Sequence, residues 1–242
     1  MISPRRLLMA AAVPAALMAS AAPATASTTF SATLGQLNNS GVSGTVTFLL
    51  SDDRTSLTVN LQAMGLEPNQ THVAHIHGRL SNGMTGSAVN STVPTLAQDT
   101  DGDGFVELGE GVPTYGPVLV PFPGFTVDAA GNANYSQVFD LLDPATYNGT
   151  FTRTDLLGMD LSSLDLREVV LHGMTVPAGP GTGTPGEVNG INGYLAALPV
   201  AAGEITAAVP EPSTWGMMLL GFGAIGYSMR RSRRSSAVRQ VA

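Results

Sequence analysis

Apolar residues recur at every second position in two neighbouring stretches, 45–50 and 57–61, and this alternation constrains the fold more than any other feature. Successive side chains of a β-strand point to opposite faces, so a period of two predicts two half-buried strands. The turn-forming sequence Ser-Asp-Asp-Arg at 51–54 lies between them. Together these stretches predict a β-hairpin.

Further strand signals recur along the chain between turns rich in Gly, Pro and Asn. They cover residues 30–34, 71–77, 132–139, 167–172, 194–200 and 204–207. A short helix is predicted around 155–164, and residues 78–131 form a long excursion with few strand signals. Many short strands separated by turns are typical of an all-β sandwich or barrel.

Histidines are concentrated on two of the predicted strands. His72, His75 and His77 lie in the sequence THVAHIHG, and His172 lies in VVLHG. Residues two apart on a strand share a face, so His75 and His77 point the same way and His72 points to the other face. If the two strands are neighbours, His75, His77 and His172 converge, and three imidazoles can hold a copper or zinc ion. Ordinary packing of strand histidines is the competing interpretation.

The second chemical signal is the acidic sequence DTDGDGFVELGE at 99–110. It fits the twelve-residue calcium loop, which places oxygen ligands at fixed positions around a sharp glycine turn. The ligand positions correspond to Asp99, Asp101, Asp103, Phe105 through its carbonyl, Glu107 and Glu110. Gly111, Pro113 and Gly116 argue against an exiting helix, and Pro94 argues against an entering one. We therefore predict a lone Ca²⁺-binding loop, with a solvated acidic turn as the alternative.

Both ends of the chain carry targeting signals. Residues 1–26 have the three parts of a signal peptide: Arg5 and Arg6, a short Ala/Leu-rich stretch, and small residues before a cleavage site between Ala26 and Ser27. A first transmembrane helix is the weaker interpretation, because prolines interrupt a stretch that is already short. The arginine pair leaves the twin-arginine export route open beside the general one.

The C-terminal signal, 209–234, begins with Pro210, Glu211 and Pro212. The apolar run at 215–229 is shorter than the roughly 20 residues of a typical span, and an arginine block follows it directly. We predict a short membrane helix there, with the arginines on the cytoplasmic side. This tail resembles the PEP-CTERM sorting signal of Gram-negative bacteria. The resemblance implies export machinery and an exosortase-type protease as partners. It also implies transient anchoring at the inner membrane, passage through the periplasm, and delivery to the cell surface or an extracellular polysaccharide matrix.

Residues 27–208 between these signals form one strongly acidic domain. It holds 17 of the 18 acidic residues, only four of the 11 basic residues and no lysine, which gives a net charge near −13. This charge argues against nucleic acid as a partner, since the phosphate backbone is also negative, and it favours cations. The chain has no cysteine, so disulfides and thiolate chemistry are excluded.

Two family resemblances concern this domain. Strands followed by Gly-Leu-x-Pro, then by His-x-x-His-x-His-Gly, and finally by Ala-Ala-Gly-Glu-Ile at 201–205, resemble the CHRD domain of exported bacterial proteins. More remotely, residues 65–77 and 167–172 are similar to two copper-site strands of Cu,Zn superoxide dismutases. That similarity implies a Greek-key β-sandwich of the superoxide-dismutase-like or immunoglobulin-like kind. It also implies copper ligands at His75, His77 and His172 and a structural role for His72.

Departures from the dismutase pattern argue against that activity. No histidine lies between 78 and 171, where the family has its bridging and zinc ligands. No arginine lies between 168 and 229, where the family has a substrate-guiding arginine, and a domain near −13 repels superoxide. We therefore predict a non-catalytic surface or matrix protein, a CHRD-like β-sandwich that binds Ca²⁺ and copper or zinc. A copper-dependent, superoxide dismutase-like oxidoreductase is the alternative.

Overall fold

Hydrogen-bonded β-strands make up most of the folded domain. A computed structural model describes residues 27–208 and 212–238, so the predicted signal peptide through Ala26 and the motif residues Pro210 and Glu211 lie outside the described residues. The strands are β1 (Ser27–Gln36), β2 (Ser43–Ser51), β3 (Ser56–Met64), β4 (Thr71–His77), β5 (Arg79–Leu80), β6 (Ala88–Val89), β7 (Val118–Pro121), β8 (Phe125–Thr126), β9 (Ala133–Asp140), β10 (Glu168–Val176), β11 (Gly193–Glu204) and β12 (Thr206–Ala207). The α-helices are α1 (Leu108–Tyr115), α2 (Arg153–Leu157) and α3 (Pro212–Val238), and 3₁₀ helices lie at Leu96–Gln98, Pro144–Thr146 and Ser163–Leu166. The predicted all-β class is confirmed for the domain.

Ten of these strands form one sheet. Its order is β7-β4-β10-β11-β1-β2-β3-β9, with β12 paired to β1 and β8 paired to β4. Every pairing between the described strands is antiparallel. β1 and β11 pair only at Gly35 with Ala202 and at Gln36 with Ala201. This short junction divides the sheet into a half that contains β2, β3 and β9 and a half that contains β4, β7 and β10.

The alternating stretches form the predicted hairpin, since β2 and β3 pair along almost their whole length. Their apolar faces are buried in a core that also takes side chains from the other half of the sheet. Phe48 and Val59 come from the first half, and Ile76 and Leu171 come from the second. One core therefore stabilises both halves.

The excursion from 78 to 131 contains more regular structure than its sequence predicts. β5 pairs with β6, whereas β7 and β8 both pair with the histidine strand β4. Strands of two to four residues are too short to carry a periodic signal, and β7 and β8 obtain their partners from a distant part of the chain. The excursion is therefore built onto the sheet edge next to the histidines.

α1 corrects the prediction that no helix leaves the acidic loop. Glu110 accepts a hydrogen bond of 3.1 Å from the Glu107 N–H, which satisfies one of the free donors at the helix start. Pro113 removes one intrahelical hydrogen bond, but Tyr115 at the other end is fully buried. A Cβ at Gly111 would lie 2.3 Å from the Tyr115 ring, so the glycine makes room for this packing. Tertiary packing thus outweighs poor helix propensity. Before the loop, the chain forms a 3₁₀ turn instead of an α-helix.

α3 contains the apolar run for which a membrane helix is predicted. No helix among residues 27–208 and 212–238 is long and apolar enough to cross a membrane. The predicted membrane helix over 215–229 is therefore not found. The apolar run is short, glycines interrupt it, and the helix continues into arginines.

Candidate metal centre

β4 and β10 are neighbours in the sheet, and their register places three histidines on one face. Glu168 lies opposite His77, and Val170 lies opposite His75. One ring nitrogen from each of His75, His77 and His172 lies within 4.8 Å of the others. His75 Nδ1 and His172 Nε2 are 3.2 Å apart. Two ligands of a tetrahedral ion with metal–nitrogen bonds of about 2.0–2.1 Å are roughly 3.3 Å apart, so this pair has the required spacing.

Backbone carbonyls orient two of the three rings. The Nδ1–H of His77 donates to the Gly116 carbonyl at 2.9 Å, and the Nδ1–H of His172 donates to the Ala197 carbonyl at 2.6 Å. A carbonyl only accepts, so the proton of each neutral ring is on Nδ1 and Nε2 carries a lone pair. The His77 Nε2 atom is buried and has no hydrogen-bond partner among the described residues. Metal-binding histidines usually donate their other N–H in this way.

Burial keeps the three rings neutral. His77 and His172 have no exposed surface, and His75 is half-buried, so solvent reaches the group from the His75 side. Loss of hydration lowers the pKa of His75 to about 4, that of His77 to about 3, and that of His172 well below its usual value. Near pH 7 each imidazole is therefore in the form that binds metals.

α1 connects the acidic loop to His77. Its first residues belong to the loop, and its last residue, Tyr115, places its ring centroid 4.3 Å from that of His77. The next residue, Gly116, supplies the carbonyl that orients the same histidine. Tyr115 is held in turn by its O–H, which donates to the Leu108 carbonyl at 2.9 Å. The sequence contained no signal for this connection, because it depends on α1.

His72 lies on the opposite face, as strand alternation predicts. Its ring nitrogens are 3.1 Å from the His172 carbonyl and 3.0 Å from the Glu67 carbonyl. The Tyr194 ring packs against it edge-on. These contacts tie β4 to β10 and to the preceding turn.

Three carboxylates of the acidic loop come together. Oxygens of Asp99, Asp101 and Asp103 lie within 4.8 Å of one another. Asp99 accepts a hydrogen bond from the Gly104 N–H at 2.9 Å, and Asp103 accepts one from the Phe105 N–H at 2.8 Å. The Oδ2 atoms of Asp101 and Asp103 are buried without a hydrogen-bond partner in the described part of the chain. Oxygens in this state suit a hard cation such as Ca²⁺.

The other two predicted carboxylate ligands make different contacts. Glu110 accepts hydrogen bonds from the Thr100 N–H at 2.6 Å and from its hydroxyl at 2.8 Å. Glu107 is buried and accepts a hydrogen bond from the Val188 N–H, in the glycine-rich loop between β10 and β11. The Phe105 side chain packs with Val188 in a small apolar cluster. The acidic loop therefore contacts the glycine-rich loop through Glu107 and Phe105, and it continues directly into α1.

The C-terminal tail indicates where the protein is sorted in the cell. Residues 208–234 match the family model described as the PEP-CTERM protein-sorting motif. The chain carries a PEP-CTERM motif. The motif implies export, processing by exosortase-type machinery and sorting to the cell envelope or surface, as predicted from the tail. The comparison with curated proteins found no match.

Two buried ionisable side chains beside the histidines were not singled out from the sequence. Arg167 has no exposed surface and donates hydrogen bonds of 2.6–3.0 Å to three backbone carbonyls. Glu168 also has no exposed surface. Burial, reinforced by the charge of Glu204, raises the pKa of Glu168 to about 8. Alternation could predict which face each residue occupies, but the depth of burial depends on the excursion that covers the strand.

Proposed function

We propose that the chain is an exported bacterial surface or matrix protein whose domain binds metal ions and does not catalyse a reaction. The observation that carries this proposal is the meeting of three neutral imidazoles, two of them oriented by backbone carbonyls. Three such donors suit zinc or copper. The sorting motif supports the exported location, with an extracellular polysaccharide matrix as the candidate partner.

For the domain itself, we infer a CHRD-like Greek-key β-sandwich. Two features support a sandwich: the sheet has a junction of only two residue pairs, and one apolar core receives side chains from both halves. An acidic domain without disulfides relies on its core and on bound cations for stability.

The acidic loop is the proposed calcium site. Support comes from the three gathered carboxylates and from the buried Oδ2 atoms of Asp101 and Asp103. Burial raises the pKa of Asp103 and of Glu107, because the ionised carboxylates lack hydration, and nearby carboxylates add to the shift. A bound cation would offset both effects. Its structural role would be to hold the acidic loop against the glycine-rich loop.

A copper-dependent, superoxide dismutase-like oxidoreductase is the second candidate. The 3.2 Å spacing of His75 and His172 and the half-buried position of His75 favour it, since one side of the group is open to a small molecule. The net charge near −13 and the missing histidine and arginine in the expected intervals count against it.

Metal analysis of the purified chain tests these proposals. We expect bound zinc or copper in the wild type and its loss in the His75→Ala/His77→Ala variant. We expect calcium to be retained in both proteins. The same preparations, loaded with copper, are then assayed for superoxide consumption, and we expect no more turnover from the wild type than from the His75→Ala/His77→Ala variant. Copper-dependent turnover that disappears in the double variant would establish the second candidate instead.

His72→Gln is the matched control for the histidine variants. It removes a histidine from the same strand but from the opposite face. We expect it to lower thermal stability, because two backbone contacts are weakened, and to leave the zinc or copper stoichiometry unchanged. Equal zinc or copper content in the wild type and the His75→Ala/His77→Ala variant would refute the three-histidine site.

A further inference from the structure

Glu168 is a buried acid whose side chain has no explanation in the fold. It has no exposed surface, and neither of its carboxylate oxygens has a hydrogen-bond partner within residues 27–208 and 212–238. An ionised carboxylate buried without a partner is strongly unfavourable, so buried acids in proteins are usually protonated, paired or bound to a metal. A cation near Glu168 would supply the missing partner.

The strand register places Glu168 beside the three histidines. It lies directly opposite His77 of β4 and, on the other side, opposite Glu204 of β11. Directly opposite residues of antiparallel strands have Cβ atoms about 4.5–5.5 Å apart. His172 lies four residues along β10, so Glu168 and His172 share a face. The carboxyl group is therefore a neighbour of the proposed metal ligands.

The neighbouring charged side chains, Arg167 and Glu204, do not neutralise the Glu168 carboxylate. Arg167 is adjacent in sequence but points to the opposite face, and its guanidinium donates to three backbone carbonyls. Glu204 is exposed and negative, so it adds repulsion. Three neutral imidazoles add no charge, so a divalent ion bound to them would leave two buried positive charges.

We propose that the Glu168 carboxylate is the buried counter-charge of the three-histidine site and makes the site prefer divalent over monovalent cations. The inference rests on the proposed function, because it assumes that the three histidines bind a metal. Glu168 acts here through its charge and not as a ligand. Coulomb energy is proportional to the charge of the ion, so the carboxylate stabilises a divalent ion about twice as much as a monovalent one.

Zn²⁺ and Cu⁺ are the two probes, because both have a filled d shell and differ in charge. Their affinities are measured by competition with chelators, without oxygen, for the wild type, Glu168→Gln and the exposed control Glu204→Gln. We expect Glu168→Gln to weaken Zn²⁺ binding by about tenfold to a hundredfold, the range for outer-shell partners of metal ligands. The loss for Cu⁺ should be at most about the square root of that factor, because the Coulomb gain is half as large for Cu⁺ while the cost of ionising the buried acid is the same for both ions. Glu204→Gln should change each affinity by less than about threefold, since its charge is screened by solvent.

Several results would overturn the inference. Wild-type Zn²⁺ affinity in Glu168→Gln, or equal losses for the two ions, would show that the charge of Glu168 is not what matters. Glu168→Met, of similar volume, is a second uncharged variant, and unfolding of both metal-free variants would assign Glu168 a structural role instead. A wild-type chain that binds neither ion would refute the three-histidine site itself, whereas normal wild-type binding with unchanged variants would refute only the role of Glu168.

Discussion

The buried Glu168 carboxyl group also leads to a specific prediction for the pH dependence of stability in the metal-free protein, which Glu168→Gln tests. The pKa of Glu168 is raised from its ordinary value of 4.5 to about 8, chiefly by burial. Between these two values the unfolded chain has lost the proton while the folded chain retains it. The folded state then binds more protons, so the free energy of unfolding falls as the pH rises. Well below pH 4.5 Glu168 is protonated in both states, so its ionisation no longer lowers the free energy of unfolding.

The size of the effect follows from the two pKa values. One pKa unit corresponds to about 1.4 kcal/mol. By linkage, the loss of stability caused by Glu168 is about 1 kcal/mol at pH 5 and about 3 kcal/mol at pH 7, and it approaches about 5 kcal/mol above pH 8. Glutamine has nearly the same shape as the protonated acid and does not ionise, so the variant lacks this loss.

Urea unfolding at pH 5 and pH 7 measures the difference. Wild type and Glu168→Gln are compared in the presence of EDTA, with far-ultraviolet circular dichroism as the signal. We expect the stability of the variant relative to wild type to rise by about 2 kcal/mol between the two pH values. The buried histidines titrate in both proteins, so their contribution cancels in the comparison. A difference that stays constant from pH 5 to pH 7 would show that the Glu168 carboxyl has an ordinary pKa in the folded state.

The acidic loop and α1 yield three more predictions. Ca²⁺ should raise the thermal midpoint of the wild type but not of Asp99→Ala/Glu110→Ala, and an equal rise in both would refute the calcium site. Gly111→Ala should cost about 1–3 kcal/mol in urea unfolding, because its methyl group would meet the Tyr115 ring at 2.3 Å. Gly109→Ala, where a Cβ meets nothing within 4 Å, is the control and should be neutral or stabilising. Because α1 joins the loop to the histidine site, saturating Ca²⁺ should strengthen Zn²⁺ binding by about fivefold or more in calorimetric titrations, and not in the loop variant. Equal Zn²⁺ affinity with and without Ca²⁺ would contradict this coupling.

The alternation of apolar and polar residues predicted more of the fold and of the candidate site than any other sequence pattern. It located β2 and β3, and it assigned His75 and His77 to one face and His72 to the other, because side-chain direction on a strand depends only on parity. The long apolar stretch around His172 similarly marked β10. These predictions needed no knowledge of distant contacts.

Features that depend on distant contacts could not be predicted in this way. α1 forms through sequence with low helix propensity, since Tyr115 gains a buried position against Val170 and Gly111 leaves room for its ring. β7 has no local partner and pairs with β4 instead. The burial of Glu168 depends on these same long-range contacts, so the sequence pattern did not predict it either. Local propensity gives way wherever a long-range contact contributes more free energy.

The two faces of β4 and β10 perform different tasks, and this separation determines how the histidine variants should behave. Ala74, Ile76, Val169 and Leu171 point into the main core, where they have no exposed surface. His75, His77 and His172 occupy the opposite face, next to the small cluster of Val170 and Tyr115. Removal of His75 and His77 leaves the core face intact, and their neutral rings contribute no ion pair to the fold. We therefore expect His75→Ala/His77→Ala to remain folded, so that its loss of metal reports on the ligands themselves and not on unfolding.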